Sequence, residues 1–391
     1  GLSTAEPIDQ MTGTFKELGT READGRNLRP VSMEIVQKVS TSIGSALRAA
    51  IFDPLLNAIG SRKRLFLAPD GNLTKLPFEV LPIDSDRRLI DEYHISYLST
   101  GRDVLRFGAV STGKYTEPLV VADPDFDLSC ESAAESVNPP SLSDQQSKDL
   151  DRRTLTFKRL PGTKVEGEQI AGILNVKPWL AERVLETHLK ACHSPRLLHL
   201  ATHGFFLRDQ QRDLYQSVHQ GQLGFGTVGG INQSWMGRLS GQGLENPLLR
   251  SGLALAGANT WLKNGSLPKE AEDGILTAED VSGLDLLDTD LVVLSACETG
   301  LGEVQTGEGV FGLRRAFVLA GAKTLVISLW KVPDKQTQEL MADFYRRLLD
   351  GQSRSEALRE AQLVMKVKYP NPYYWGAFIC QGVPNPLQLP R

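Results

Sequence analysis

Cysteine is scarce in this chain. Four are spread over 391 residues (Cys130, Cys192, Cys297 and Cys380), with no CxxC pair among them. That excludes a zinc finger and a disulfide scaffold, and it fits a reducing, cytoplasmic setting. No apolar run approaches the roughly 18–20 residues that span a bilayer, so no membrane partner is expected. The opening, GLSTAEPIDQ, has neither the basic nor the apolar region of a signal peptide. There is no basic excess either: 43 Lys plus Arg stand against 47 Asp plus Glu, a net charge of −4. Direct nucleic-acid binding is therefore not expected. No GxxxxGKS is present and no GxGxxG follows a strand; GTVGGIN sits in a polar stretch, so a phosphate-binding enzyme is a weak reading. His94, His188, His193 and His219 lack a second ligand at metal spacing, and no EF-hand spacing occurs. No metal and no cofactor are expected.

What is present is an ordinary globular composition, 41% hydrophobic and 23% charged. Its organisation divides into a lead-in over 1–63, an N-terminal part over 64–116 and a core over 117–391. Residues 1–30 read as a poorly ordered lead-in or as the tail of an upstream domain. Ile35, Val36, Val39, Ile43, Leu47, Ile51 and Leu55 recur at spacings of three and four, which predicts an amphipathic helix broken near Asp53-Pro54. RLFLAPDGNLTKLPFEVLPI, 64–83, reads as a β-hairpin around Pro69-Asp70-Gly71, and EYHISYLST as a strand. Beyond 117, solid apolar runs alternate with helical patterns: PLVVADPDF, RLLHLATHG, LVVLSACETG and TLVISLW are the runs. This predicts an α/β fold with a mostly parallel sheet buried between helices. Residues 129–158 and 207–245 are polar and read as long loops.

In such sheets ligands bind at the carboxyl ends of the strands. Two strands end there with reactive residues, His203-Gly204 and Cys297. A cysteine nucleophile needs a base, usually His, and backbone N–H donors for the oxyanion. Gly204 offers an unobstructed N–H. Residue type alone leaves two readings open, since a cysteine and a strand-end histidine are equally at home in a core. His199, four residues earlier, is either support for the site or core, and Cys130, Cys192 and Cys380 are assigned no chemistry.

The segments LAPDGNLTKLPFEVLP, LPGTKVEGEQIAGIL, LLHLATHGFF, NPLLRSGLALAGAN, LVVLSACETGLGEVQTGEGVFGLRRAFVLAGAKTLVISLWKVPD and YYWGAFICQG resemble the CHAT family of caspase-like (clan CD) cysteine peptidases, related to separase. The likeness runs over roughly residues 60–385, and ATHG with SACETG is its specific part. It implies a caspase-like α-β-α sandwich with a sheet of about six strands. It also implies cysteine endopeptidase activity, with His203 as base, Cys297 as nucleophile and the N–H groups of Gly204 and Cys297 as oxyanion donors. The partners implied are a protein or peptide substrate and an upstream helical-repeat (TPR-like) regulatory region or activating partner; the start at Gly1 fits a piece of a longer chain. Substrate-binding candidates are Asp123, Ser295, Glu298 and Asp334. LWKVPD resembles the separase motif whose aspartate binds a substrate arginine, so cleavage after Arg or Lys is expected. Asp123-Pro124 as a turn starter, Asp334 as a helix cap and Glu298 as a solvated residue are the competing readings. A non-catalytic caspase-like interaction module is the alternative function.

Overall fold

The computed structural model describes residues 5–21, 30–108, 114–130, 155–206, 247–295, 297–298 and 308–387. Twelve strands are formed among them. They are β1 (Arg64–Leu67), β2 (His94–Tyr97), β3 (Leu119–Pro124), β4 (Trp179–Ala181), β5 (Leu197–Ala201), β6 (His203–Phe206), β7 (Ser251–Ala254), β8 (Ile275–Thr277), β9 (Leu291–Leu294), β10 (Cys297–Glu298), β11 (Thr324–Ser328) and β12 (Phe378–Gly382). The principal helices are α1 (Ala5–Arg21), α2 (Pro30–Ile51), α3 (Pro161–Leu174), α4 (Glu308–Leu319), α5 (Asp334–Leu349) and α6 (Arg354–Lys368).

The central sheet runs β1-β2-β12-β11-β9-β5-β3-β4. Its pairs are parallel except β11–β12. The apolar runs explain this. β3, β5, β9 and β11 are buried along their whole length, as strands covered on both faces must be. α3, α5 and α6 pack side by side against the sheet, and α4 packs against β11 and β7. The result is the expected α-β-α sandwich.

Three expectations change. The sheet has eight strands rather than about six. The six formed by residues 117–391 are extended by β1 and β2, which reach the core sheet through β12. Residues 64–83 are not a hairpin. After β1 the chain turns into short 3-10 segments at Gly71–Lys75 and Phe78–Val80, and β1 pairs in parallel with β2. Asp70 accepts from the Gly71 N–H, so the Pro-Asp-Gly turn caps a helical turn instead of closing a hairpin. Residues 5–21 form α1 rather than a loose lead-in. Phe15 is buried against Gly44 of α2, where a Cβ would lie 2.5 Å from the ring. The predicted break after α2 is present at Asp53–Leu55. Most of the two long polar stretches, 131–154 and 207–246, lies outside the described residues.

A smaller sheet, β10-β6-β7-β8, grows from the carboxyl ends of the central strands. β5 and β6 are one chain path interrupted at Thr202, whose hydroxyl donates to the Ala254 carbonyl at 2.6 Å. β9 and β10 are likewise one path. Across the interruption, Ser295 N–H donates to the Leu200 carbonyl at 2.9 Å. The parallel register survives the break. Leu200 faces Leu294 in the large sheet and His203 faces Cys297 in the small one, with the same sequence separation in both pairs.

Candidate active site

That register brings the two reactive residues together. Cα of Cys297 is the direct partner of Cα of His203, and Glu298 is the partner of Gly204. Neighbouring strands lie about 4.8 Å apart. The two residues belong to two separate motifs, and the ladder makes them neighbours.

The His203 side chain is 4% exposed and packs against the rings of Phe126 and Phe157, with centroids at 5.3 and 5.7 Å. Its Nε2 lies 2.6 Å from the Lys158 carbonyl. A carbonyl only accepts, so the proton is on Nε2 and Nδ1 is the basic nitrogen of the neutral ring. Burial pushes the imidazole below its ordinary 6.5; the Lys158 carbonyl opposes this and the nearby Lys331 charge adds to it. The ring is therefore neutral, and able to accept a proton, at neutral pH.

Asp123 stands at the carboxyl end of β3 with φ +45°, at an irregularity between Ala122 and Pro124 opposite β4. Aspartate tolerates this left-handed conformation better than most residues, and the bulge re-aims the side chain. Its carboxylate is 2% exposed and is held by both arms of Arg159, at 3.1 and 2.9 Å. Asp123 is thus more than a turn starter: it is a buried acid with a guanidinium already on it. Ser295 is buried between β9 and β10. Glu298 is placed by its backbone opposite Gly204, and its side chain lies outside the described residues. Asp334 is exposed and begins α5, whose N-cap is Pro333 without a side-chain bond. It does not cap α5. Its carboxylate instead lies over Gly162 in the first turn of α3, where a Cβ would collide with it. Two helix N-termini therefore favour its negative charge.

His199 is core. Nδ1 meets the Tyr345 hydroxyl at 3.1 Å, and Nε2 lies 3.4 Å from Glu166. Lys158, Arg159, Phe126 and Phe157 escaped the sequence reading. Their one signal is Lys158-Arg159 directly before Leu160-Pro161-Gly162, a segment pinned at the start of α3. Burial raises the Cys192 thiol to about 11 and the Cys380 thiol to about 12. Among the described residues, no group of three or more His, Cys, Asp or Glu is arranged to hold a metal. No helix among them is long and apolar enough to cross a membrane.

A family model described as the CHAT domain matches residues 41–383. The chain belongs to the CHAT domain family. The domain model thus begins inside α2 and runs past β12. The chain is also 37% identical over 118 residues to human tetratricopeptide repeat protein 28, and 37% identical over 119 residues to the mouse protein. Each match covers 30% of this chain and 5% of the relative's length. Among solved structures, the Arg-specific cysteine proteinase gingipain R aligns over 87% of this chain and 68% of its own, at 10% identity and a TM-score of 0.44.

Proposed function

We propose that this CHAT domain is a cysteine endopeptidase acting through His203 and Cys297. The observation that carries the reading is the backbone pairing of these two residues at the carboxyl ends of buried parallel strands, with Nε2 of His203 committed to a carbonyl. In this mechanism Nδ1 of His203 takes the Cys297 thiol proton. The thiolate adds to the scissile carbonyl, and the N–H groups of Gly204 and Cys297 stabilise the oxyanion. The imidazolium then returns the proton to the departing amine. Water hydrolyses the thioester, with His203 again as base, and the thiol is restored.

The substrate side chain before the cut is a basic one. Asp123 is the acid that would receive it, because its buried carboxylate already holds a guanidinium by two parallel bonds, the arrangement a substrate arginine would make. Ser295, Glu298 and Asp334 are further candidates for the substrate cleft. Tetratricopeptide repeats upstream, of the kind named in the relatives, would recruit partners and control the activity in the cytoplasm. A non-catalytic interaction module is separated from this reading by one experiment. Purified wild type, Cys297→Ala, His203→Ala and the double variant are assayed on a fluorogenic peptide library. Each single variant should lose hydrolysis while keeping its melting temperature, and the double variant should be little worse. Hydrolysis retained by Cys297→Ala would remove the dyad from the mechanism.

A further inference from the structure

We propose that Arg159 is an internal occupant of the substrate-binding carboxylate, so that an entering basic side chain must displace it; the inference rests on the peptidase reading above. Asp123 is enclosed, and both its oxygens are taken by the Arg159 fork. A substrate arginine would make those same two bonds. Arg159 differs from an ordinary buried partner in one respect: its side chain is 62% exposed while the carboxylate is 2% exposed. The arm forms the outer wall of the acid and can swing into water without opening the core.

Its root is fixed. Phe157 N–H donates to the Asn259 side chain, whose amide donates back to the Phe157 carbonyl. The Lys158 carbonyl is held by His203. Thr163 N–H and hydroxyl both bond the Leu160 carbonyl. The backbone on each side of Arg159 is therefore tied, and only the arm is left to move. One short segment thus orients the candidate base through Lys158 and fills the candidate pocket through Arg159. When the arm is in place the pocket is neutral, and when it leaves, the pocket carries an uncovered negative charge. If the arm is away about one-tenth of the time, the apparent affinity for a basic side chain is about tenfold below the intrinsic one.

The test uses agmatine as a guanidinium probe and peptides with Arg or Leu before the bond. Agmatine binding is measured calorimetrically on Cys297→Ala, alone and combined with Arg159→Ala or Arg159→Gln, so binding is read without turnover. The expected result is about tenfold tighter agmatine in both combined variants, lost again when Asp123→Asn is added. In the active background, KM for the Arg peptide should fall about tenfold with kcat unchanged, and the Arg-over-Leu preference should rise. Arg159→Gln keeps a shorter, uncharged polar arm and covers the case where Arg159→Ala folds poorly. Agmatine affinity unchanged or weakened in both variants would overturn the proposal. Tighter agmatine without hydrolysis of any peptide would support the pocket and sink the peptidase reading instead.

Discussion

α3 carries two interior glycines whose replacement by alanine should move stability in opposite directions. Alanine gains up to about 1 kcal/mol over glycine in a helix interior and less in the last turn, where Gly172 stands. At Gly172 a new Cβ meets nothing within 4 Å, so Gly172→Ala should realise that gain. At Gly167 the new Cβ would lie 2.5 Å from the Ala122 Cβ on β3, with Leu180 and Val120 at 3.8 Å. Ordinary contact is short there by about 1 Å, and overpacking of this kind costs about 1–3 kcal/mol. Gly167→Ala should therefore be neutral to destabilising by about 2 kcal/mol, and the two variants should differ by about 1–3 kcal/mol. In a chain of this size that is roughly 1–4 °C in Tm. Thermal and urea unfolding measure it. Ala122→Gly, which removes the opposing methyl, should rescue Gly167→Ala but not add to Gly172→Ala. If both variants shift stability alike, the close approach of α3 to β3 is wrong. Ala122 also precedes Asp123, so Gly167→Ala should weaken agmatine binding as well.

Other consequences follow from the buried polar groups. Burial lifts the Glu79 carboxyl to about 7, opposed by its bond from the Tyr97 hydroxyl at 2.6 Å. The fold then favours the neutral acid, and stability should fall as pH rises from about 4.5 to 7; Glu79→Gln should flatten that slope in urea titrations. Because burial holds His203 below 6.5, the acid limb of kcat/KM should centre below pH 6.5, and a limb centred above it would contradict the assigned environment. At pH 8, Cys192 and Cys380 remain thiols, being raised to about 11 and about 12. Iodoacetamide mapped by mass spectrometry should therefore label Cys297 ahead of both; Cys192 labelling as fast as Cys297 would refute this.

Much of the core sheet was legible because its strands are read from local chemistry. LVVL and TLVIS are apolar throughout, and only a doubly covered strand needs that. The dyad candidates were legible because two short motifs end such strands. What escaped depends on partners distant in sequence. β1 looks like half of a hairpin, since nothing near Phe66 reveals that its parallel partner is Ser96, beyond two 3-10 turns. α1 looks loose because its stretch is polar, and the Gly44 gap of α2 that seats Phe15 lies outside that stretch. The sequence marks Asp123 as an acid, but its neutralisation by Arg159 is a contact over 36 residues with no periodic trace.

The unbroken register between the two sheets makes chain length decide whether His203 and Cys297 pair. Thr202 alone separates β5 from β6, and Ser295-Ala296 separate β9 from β10. Removing or adding one residue in either crossing would slide one arm by a position and turn its next side chain to the opposite face. Cys297 would then lose its place opposite His203 on the ladder, although both residues were still encoded. A matched change in both crossings would restore their pairing. The two arms are tuned to each other, and neither can be lengthened by itself.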